Sequence, residues 1–233
     1  MNTESYIEKK VKERNITIFY QKIITKVGFS QYECLARIKD DTSISPIDFL
    51  PVIVKLNLYE DFTKSVIKES FEKFKNKKMF FSINLTYEDF CNKNIFLFLE
   101  NKLKEFYLGK YLIIEILENQ IKDFSIVNNF IDKLKPYGVQ FAIDDFWKDY
   151  SNLTHLLYLD PDFLKIDIFL VKEFNTNDRA KMILETIVNL GEQLNIKIIA
   201  EGIEDAETYR NLLKYNIHAY QGFYFSKPNK ELL

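Results

Sequence analysis

Two aspartates, Asp144 and Asp145, stand side by side in "FAIDDFWKDYSNL", where an apolar run stops. Neighbouring carboxylates repel one another, and withdrawing them from water worsens the repulsion. Polar residues close other short apolar runs in the same way. Asn84 ends "FFSIN", Glu115 ends "YLIIE", Lys165 and Asp167 lie in "FLKID", Glu201 follows "IKIIA", and Gln221 follows "HAY". Glu33 lies within "SQYECLARIK", and Arg37 shares its face because side chains on a strand alternate with period two.

Each of these has a structural explanation when taken alone. The aspartates could cap the next helix, Glu33 could pair with Arg37, Lys165 with Asp167, and Asn84 with Thr86 could cap a helix. Glu201-Gly202 reads as a turn in which Gly supplies a positive φ. Gathered in one place, however, Glu33, Glu115, Asp144, Asp145 and Glu201 exceed what one lysine and one arginine neutralise. Divalent cations held by oxygen ligands are the physical remedy. A set of Asp, Glu and Asn without nearby His or Cys suits Mg²⁺ or Mn²⁺ better than zinc. The paired aspartates then read as metal ligands, with Asp144 placed to bridge two ions.

The elements that would bring these residues together are legible as a pattern. "NITIFYQKIIT" and "SQYECLARIK" read as two strands, antiparallel across a turn at Val27-Gly28. "SPIDFLPVIVKLN" starts with a cap-like Ser45 and Pro46 and continues as a helix, and a second helix covers 59–76. Short apolar strands then alternate with helices: "MFFSIN", helical "IFLFLENKLKEF", "YLIIEIL", a helix at 125–135, "VQFAID", a helix at 151–159, "FLKID", a helix at 178–194, "IKIIA", helical "DAETYRNLLKY" and "HAYQGF". That alternation indicates a parallel sheet covered by helices. About eight strands imply a TIM-like (β/α)8 barrel with an irregular, partly antiparallel start, in which the strand C-termini converge on one rim. An open doubly wound sheet is the alternative. The expected division is a lead-in helix at 1–15 and one barrel domain at 16–233.

The composition suits a globular domain: 233 residues, 47% hydrophobic, 15% aromatic, with a formal charge of −2. No basic stripe is present, which argues against duplex nucleic acid. The opening "MNTESYIEKKVKER" is too polar for a signal peptide, and no apolar run is long enough to span a membrane. Cys34 and Cys91 lack metal-pair or disulfide-framework spacing and read as reduced core residues, consistent with a cytoplasmic protein. His155 and His218 read as structural or surface residues, and the Phe-rich helix as core packing with one face available to a dimer.

The blocks "FYQKI", "YECLAR", "SINLT", "IEILEN", "IDDF", "LKID", "AEGIED" and "YQGFYFSKP" occur in the order found in the EAL domain, the family of bacterial cyclic di-GMP phosphodiesterases. Over 16–228 the chain resembles that family, with Cys34 replacing the Ala of the signature triplet. The resemblance implies a first metal held by Glu33, Asn84, Glu115 and Asp144 and a second by Asp144 and Asp145. It implies Glu201 beside the attacking water, and Lys165 as a proton acceptor or electrostatic partner, its pKa depressed by nearby metal charge. Gln21, Leu35, Arg37 and Gln221 match substrate-contacting positions; Glu118, Asp167 and Glu204 fall in supporting positions around the site. The implied reaction is hydrolysis of cyclic di-GMP to linear pGpG with two Mg²⁺ or Mn²⁺ ions, possible also in a homodimer.

The pattern departs at one loop. Where the family runs Phe-Gly-Thr/Ser-Gly-Tyr-Ser-Ser, this chain has "FWKDYSN", with Trp147 and Asp149 in place of two glycines and Lys148 between them. Trp and Asp adopt glycine-like conformations only with strain, so a different loop shape is expected. The alternative function is a catalytically silent receptor that binds cyclic di-GMP, and a third is an interaction scaffold. Lys22 replaces the family's Pro after Gln21, and "FLPVIVKLN" lacks an acidic residue often found there.

Overall fold

In a computed structural model, which describes residues 3–13, 15–28, 30–39, 44–117, 121–147 and 153–233, eight strands close a barrel in sequential order. The chain opens with α1 (Thr3–Lys12), followed by β1 (Ile16–Thr25), β2 (Ser30–Ile38), α2 (Pro46–Lys55), α3 (Tyr59–Phe74) and β3 (Phe80–Leu85). Next come α4 (Tyr87–Cys91), α5 (Lys93–Phe106), β4 (Leu112–Leu117), α6 (Phe124–Leu134), β5 (Gln140–Phe146), α7 (Thr154–Tyr158) and β6 (Phe163–Ile166). The remainder is α8 (Ile168–Glu173), α9 (Asp178–Leu194), β7 (Lys197–Ala200), α10 (Ala206–Leu212) and β8 (Ala219–Gln221). β1 runs antiparallel to both β2 and β8, and every other neighbouring pair is parallel. This is the barrel with an irregular start that the alternation implies.

Local chemistry explains most boundaries. Pro46 opens α2 behind a capping box of Ser45 and Asp48, and Thr86 with Asp89 forms another ahead of α4. Asn177 caps α9 by accepting from two backbone amides, and Asn195 ends that helix in the left-handed conformation. Two short helices, α4 and α8, have no counterpart in the periodicity, because five or six residues are too few to display it. Cys91 is exposed rather than core, whereas Cys34 is buried.

The barrel interior has a floor and a mouth. Ile23, Ile113, Ala142, Phe163, Ile199 and Ala219 form an apolar cluster separate from the layer between strands and helices. The outer layer holds most of the aromatics, including Phe74 stacked on Phe81 with ring centroids 4.5 Å apart. Burying that apolar surface is the main stabilising term. It leaves the mouth free to carry polar groups.

Candidate active site

Period-two alternation lifts one side chain from each strand above the apolar floor. Glu115 stands two residues beyond Ile113, Asp144 beyond Ala142, Lys165 beyond Phe163, Glu201 beyond Ile199 and Gln221 beyond Ala219. β1 runs the other way, and Gln21 precedes Ile23. Register puts Gln21 opposite Glu33 and Asn84 beside Glu115. Gln21, Glu33, Asp144, Asp145, Lys165, Glu201 and Gln221 line one pocket of about 360 Å³ at the mouth.

Adjacent residues on a regular strand face opposite ways, so both aspartates reach this pocket only through an irregularity. Ile143 pairs with Leu164 and Phe146 with Ile166, which leaves Asp144 and Asp145 opposite Lys165 alone. This is a β-bulge, and Asp145 takes the left-handed φ of +56° within it. Trp147 follows at φ +79°. That is a conformation a glycine takes freely and a tryptophan adopts with strain on the order of 1–3 kcal/mol, as expected for Trp at a glycine's place. Lys148 and Asp149 lie outside the described residues.

The electrostatics centre on Lys165, which is 1% exposed. Its ammonium lies 2.8 Å from Glu115 Oε2, 2.8 Å from Glu201 Oε1, 2.9 Å from Asp144 Oδ1 and 3.9 Å from Glu33 Oε2. Burial opposes the ammonium, but attraction to Asp144, Glu115, Glu201 and Glu33 outweighs it and holds the pKa well above the usual lysine range. Among these carboxylates alone Lys165 is held as an ammonium; the expected depression refers to the same cage with metal charge added. Burial pushes Glu115 up to about 8 despite the lysine, with Glu33 and Asp144 adding repulsion. Burial likewise raises Glu201, and Asp144 and Glu33 add to the effect. One lysine leaves this cage short of positive charge.

The donor set fits divalent cations. Oxygens of Glu33, Glu115 and Asp144 all lie within 4.8 Å of one another, as do those of Asp144, Asp145 and Glu201. Such spacing lets each trio reach a common ion at oxygen-ligand distances of about 2.0–2.6 Å. Asp144 belongs to both trios. Its Oδ1 is buried and has no hydrogen-bond partner, its contact with Lys165 being an ion pair off the hydrogen-bond direction.

Around this centre, Asn84 Nδ2 donates to Glu33 Oε1 at 3.1 Å, and Gln221 Nε2 donates to Glu33 Oε2 at 2.6 Å and Gln21 Oε1 at 3.2 Å. Gln21 Nε2 donates to the Ser226 carbonyl, a support the sequence reading did not include. Arg37 makes no ion pair with Glu33 among the described residues; it donates to Ala36 O and lies 5.6 Å from the Phe19 ring centroid. Asp167 caps α8 by accepting from Phe169 N at 2.8 Å and does not pair with Lys165. Glu204 pairs with Lys172 at the surface. Glu118 lies outside the described residues. Leu35 and Asn84 border a second, largely apolar cavity of about 850 Å³ that runs to Phe49, Pro51 and Tyr59. Gly202, at φ +69°, turns the chain after Glu201 so tightly that a Cβ would sit 2.0 Å from Ile168 Cγ1. Phe223, which lines the mouth pocket, was not among the expected site residues; an aromatic after Gln-Gly carries no distinct signal by itself.

A closed α/β barrel with an oxygen-rich, lysine-centred mouth at its strand C-termini has the architecture of a barrel enzyme. The chain belongs to the EAL domain family, whose model matches residues 5–228. It is 30% identical over 235 residues to the cyclic di-GMP phosphodiesterase PdeA of Borreliella burgdorferi, covering 96% of this chain and 35% of that protein. The chain thus spans about a third of the length of curated relatives it matches. An EAL domain protein of Listeria monocytogenes superposes with a TM-score of 0.90 at 28% identity, covering 99% of this chain and 95% of that one. The Klebsiella pneumoniae protein BlrP1, in a complex with calcium and cyclic di-GMP, superposes with a TM-score of 0.84 at 26% identity, covering 94% of this chain and 57% of that one. EAL domains use divalent metal ions. No helix among the described residues is long and apolar enough to cross a membrane.

Proposed function

We propose that the chain is a cyclic di-GMP phosphodiesterase that hydrolyses its substrate to linear pGpG with two Mg²⁺ or Mn²⁺ ions. The observation carrying this is the pair of carboxylate trios that share Asp144. Glu33, Asn84, Glu115 and Asp144 hold one ion, and Asp144 and Asp145 the other, with Glu201 beside it. Bound there, the ions supply charge for the phosphodiester oxygens, the attacking water and the departing alkoxide.

The protein's own groups orient the substrate. Lys165, fixed as an ammonium among Glu115, Asp144 and Glu201, offsets their charge and holds the three carboxylates in place. Arg37 offers its guanidinium fork to a phosphate oxygen. Gln21 and Gln221 fix one side of the mouth through their mutual hydrogen bond. The apolar cavity beyond Leu35 has room for a nucleobase. Purified protein with Mn²⁺ and cyclic di-GMP should yield pGpG on chromatography. Folded protein that gives none between about pH 7 and 9.5 would reject the reading.

One observation favours a second reading, a receptor that binds cyclic di-GMP without cutting it. Trp147 is strained two residues after Asp145, one of the aspartates assigned to the second ion. Calorimetry in Ca²⁺ showing tight binding, beside no turnover in Mn²⁺, would select the receptor.

A further inference from the structure

The seam that closes the barrel is short. β1 and β8 pair only at Ile23 with Gln221, Ile24 with Tyr220 and Thr25 with Ala219. Toward the mouth, β1 next finds a partner at Tyr20, which exchanges two backbone hydrogen bonds with Asn229, at 2.7 and 3.1 Å. Amides two residues apart on a strand face the same edge, so the Lys22 amide falls in the gap between these pairings. A continued ladder would give it the Gly222 carbonyl. β8 has already ended, however, and that carbonyl accepts from Phe225 N and Ser226 N, each at 3.1 Å. Ser226 Oγ fills the gap instead, accepting from Lys22 N at 3.0 Å. At 8% exposure, the serine stands where water is a poor substitute for that bond.

From this splice a line of hydrogen bonds runs into the mouth. The Ser226 carbonyl accepts from Gln21 Nε2 at 3.3 Å. Gln21 Oε1 accepts from Gln221 Nε2 at 3.2 Å, and the same Nε2 donates to Glu33 Oε2 at 2.6 Å. An amide has a donor end and an acceptor end, so each link sets the next. With Nε2 taken by Ser226, Gln21 can show Gln221 only its oxygen. Gln221 then turns its own NH₂ toward Gln21 and toward Glu33. Were Gln21 free to reverse, Gln221 would be drawn to reverse with it and set an amide oxygen against the carboxylate.

We propose that Ser226 is a positioning residue for the metal cage: by splicing the seam at Lys22 it fixes the two glutamine amides that orient Glu33. It touches neither metal nor substrate. This rests on the reading of Glu33 as a ligand of the first ion.

The test reads Mn²⁺ affinity of the metal-free protein without substrate, by electron paramagnetic resonance of the free ion, beside thermal unfolding of each variant. Ser226→Ala should weaken Mn²⁺ binding about tenfold, and Gln21→Leu, which cuts the line without touching the seam, should do the same. Lys22→Pro removes the splice from its other end and leaves no buried donor orphaned, so it serves even where Ser226→Ala does not fold. It should weaken binding by at least about threefold. In the Gln21→Leu or the Lys22→Pro background, Ser226→Ala should add less than about twofold, because its route to Glu33 is already cut. Losses that multiply in either background would make Ser226 a merely structural residue and overturn the proposal. Parental affinity in Lys22→Pro or Gln21→Leu would overturn it too; the cage reading would stand in each case. A parent that binds no Mn²⁺ would overturn the proposal and that reading together.

Discussion

The floor and the mouth of the barrel are built from the same strands, two residues apart, and they obey opposite rules. Ile113, Ala142, Phe163 and Ile199 fill the interior with apolar side chains. One pleat higher, Glu115, Asp144 and Glu201 crowd like charges around the single ammonium of Lys165. The floor is stable on its own terms. The mouth is tolerable because the floor and the outer aromatic layer hold its backbone in place, and strained or unsatisfied groups collect where function requires them. Stability and chemistry are thus separated by about one pleat of a strand.

Substitutions can break that contrast at either level. The largest effect should come from Asp144→Asn, which weakens both trios: hydrolysis should fall by at least about 100-fold and Mn²⁺ affinity with it, while cooperative unfolding persists. Near-parental rates would remove Asp144 from the ligand set. Phe163→Ala, on the floor of the same barrel, should do the reverse. It should cost about 3–5 kcal/mol in urea unfolding and leave Mn²⁺ affinity within about threefold.

A smaller effect concerns pH. Glu115 holds its proton in the folded chain up to about 8, above its ordinary value of 4.5. Between those values the folded state binds more protons than the unfolded one, so its contribution to stability is full below about 4.5 and is lost as pH rises through about 8. Metal-free protein should become easier to unfold across that window, Glu115→Gln should flatten the slope, and Mn²⁺ should raise the melting temperature at the alkaline end. A metal-free slope unaltered by Glu115→Gln would contradict the assignment. The smallest effect belongs to Trp147→Gly, which relieves a positive φ but gives up side-chain packing. Stability should change by no more than about 1 kcal/mol, and Mn²⁺-dependent turnover should rise, by less than about tenfold. A fall in turnover would mean that the tryptophan ring supports the aspartates.

Much of this was legible because alternation and helix spacing are properties of short windows. The apolar runs before Asn84, Glu115 and Asp144 announced parallel strands, and their polar ends announced one rim. Helix α9 was expected at the bounds observed, since it has a cap, a long apolar face and a terminal Asn. What escaped depends on contacts across strands. The bulge that turns Asp144 and Asp145 to the same pocket needs the register of β6 against β5, which no local window contains. The raised pKa of Lys165 needs four carboxylates from four other strands to close around it. The positive φ of Trp147 is likewise beyond a local window, because tertiary packing overrode a backbone preference.

The claim beneath all of this is that the acidic mouth is a divalent-cation cage. Anomalous scattering from a crystal grown in Mn²⁺ tests it most directly. The account predicts two peaks roughly 3.5–4 Å apart with Asp144 between them, one toward Glu33 and Glu115 and the other toward Asp145 and Glu201. Ordered carboxylates paired only with Lys165 and water, with no anomalous peak among them, would contradict it.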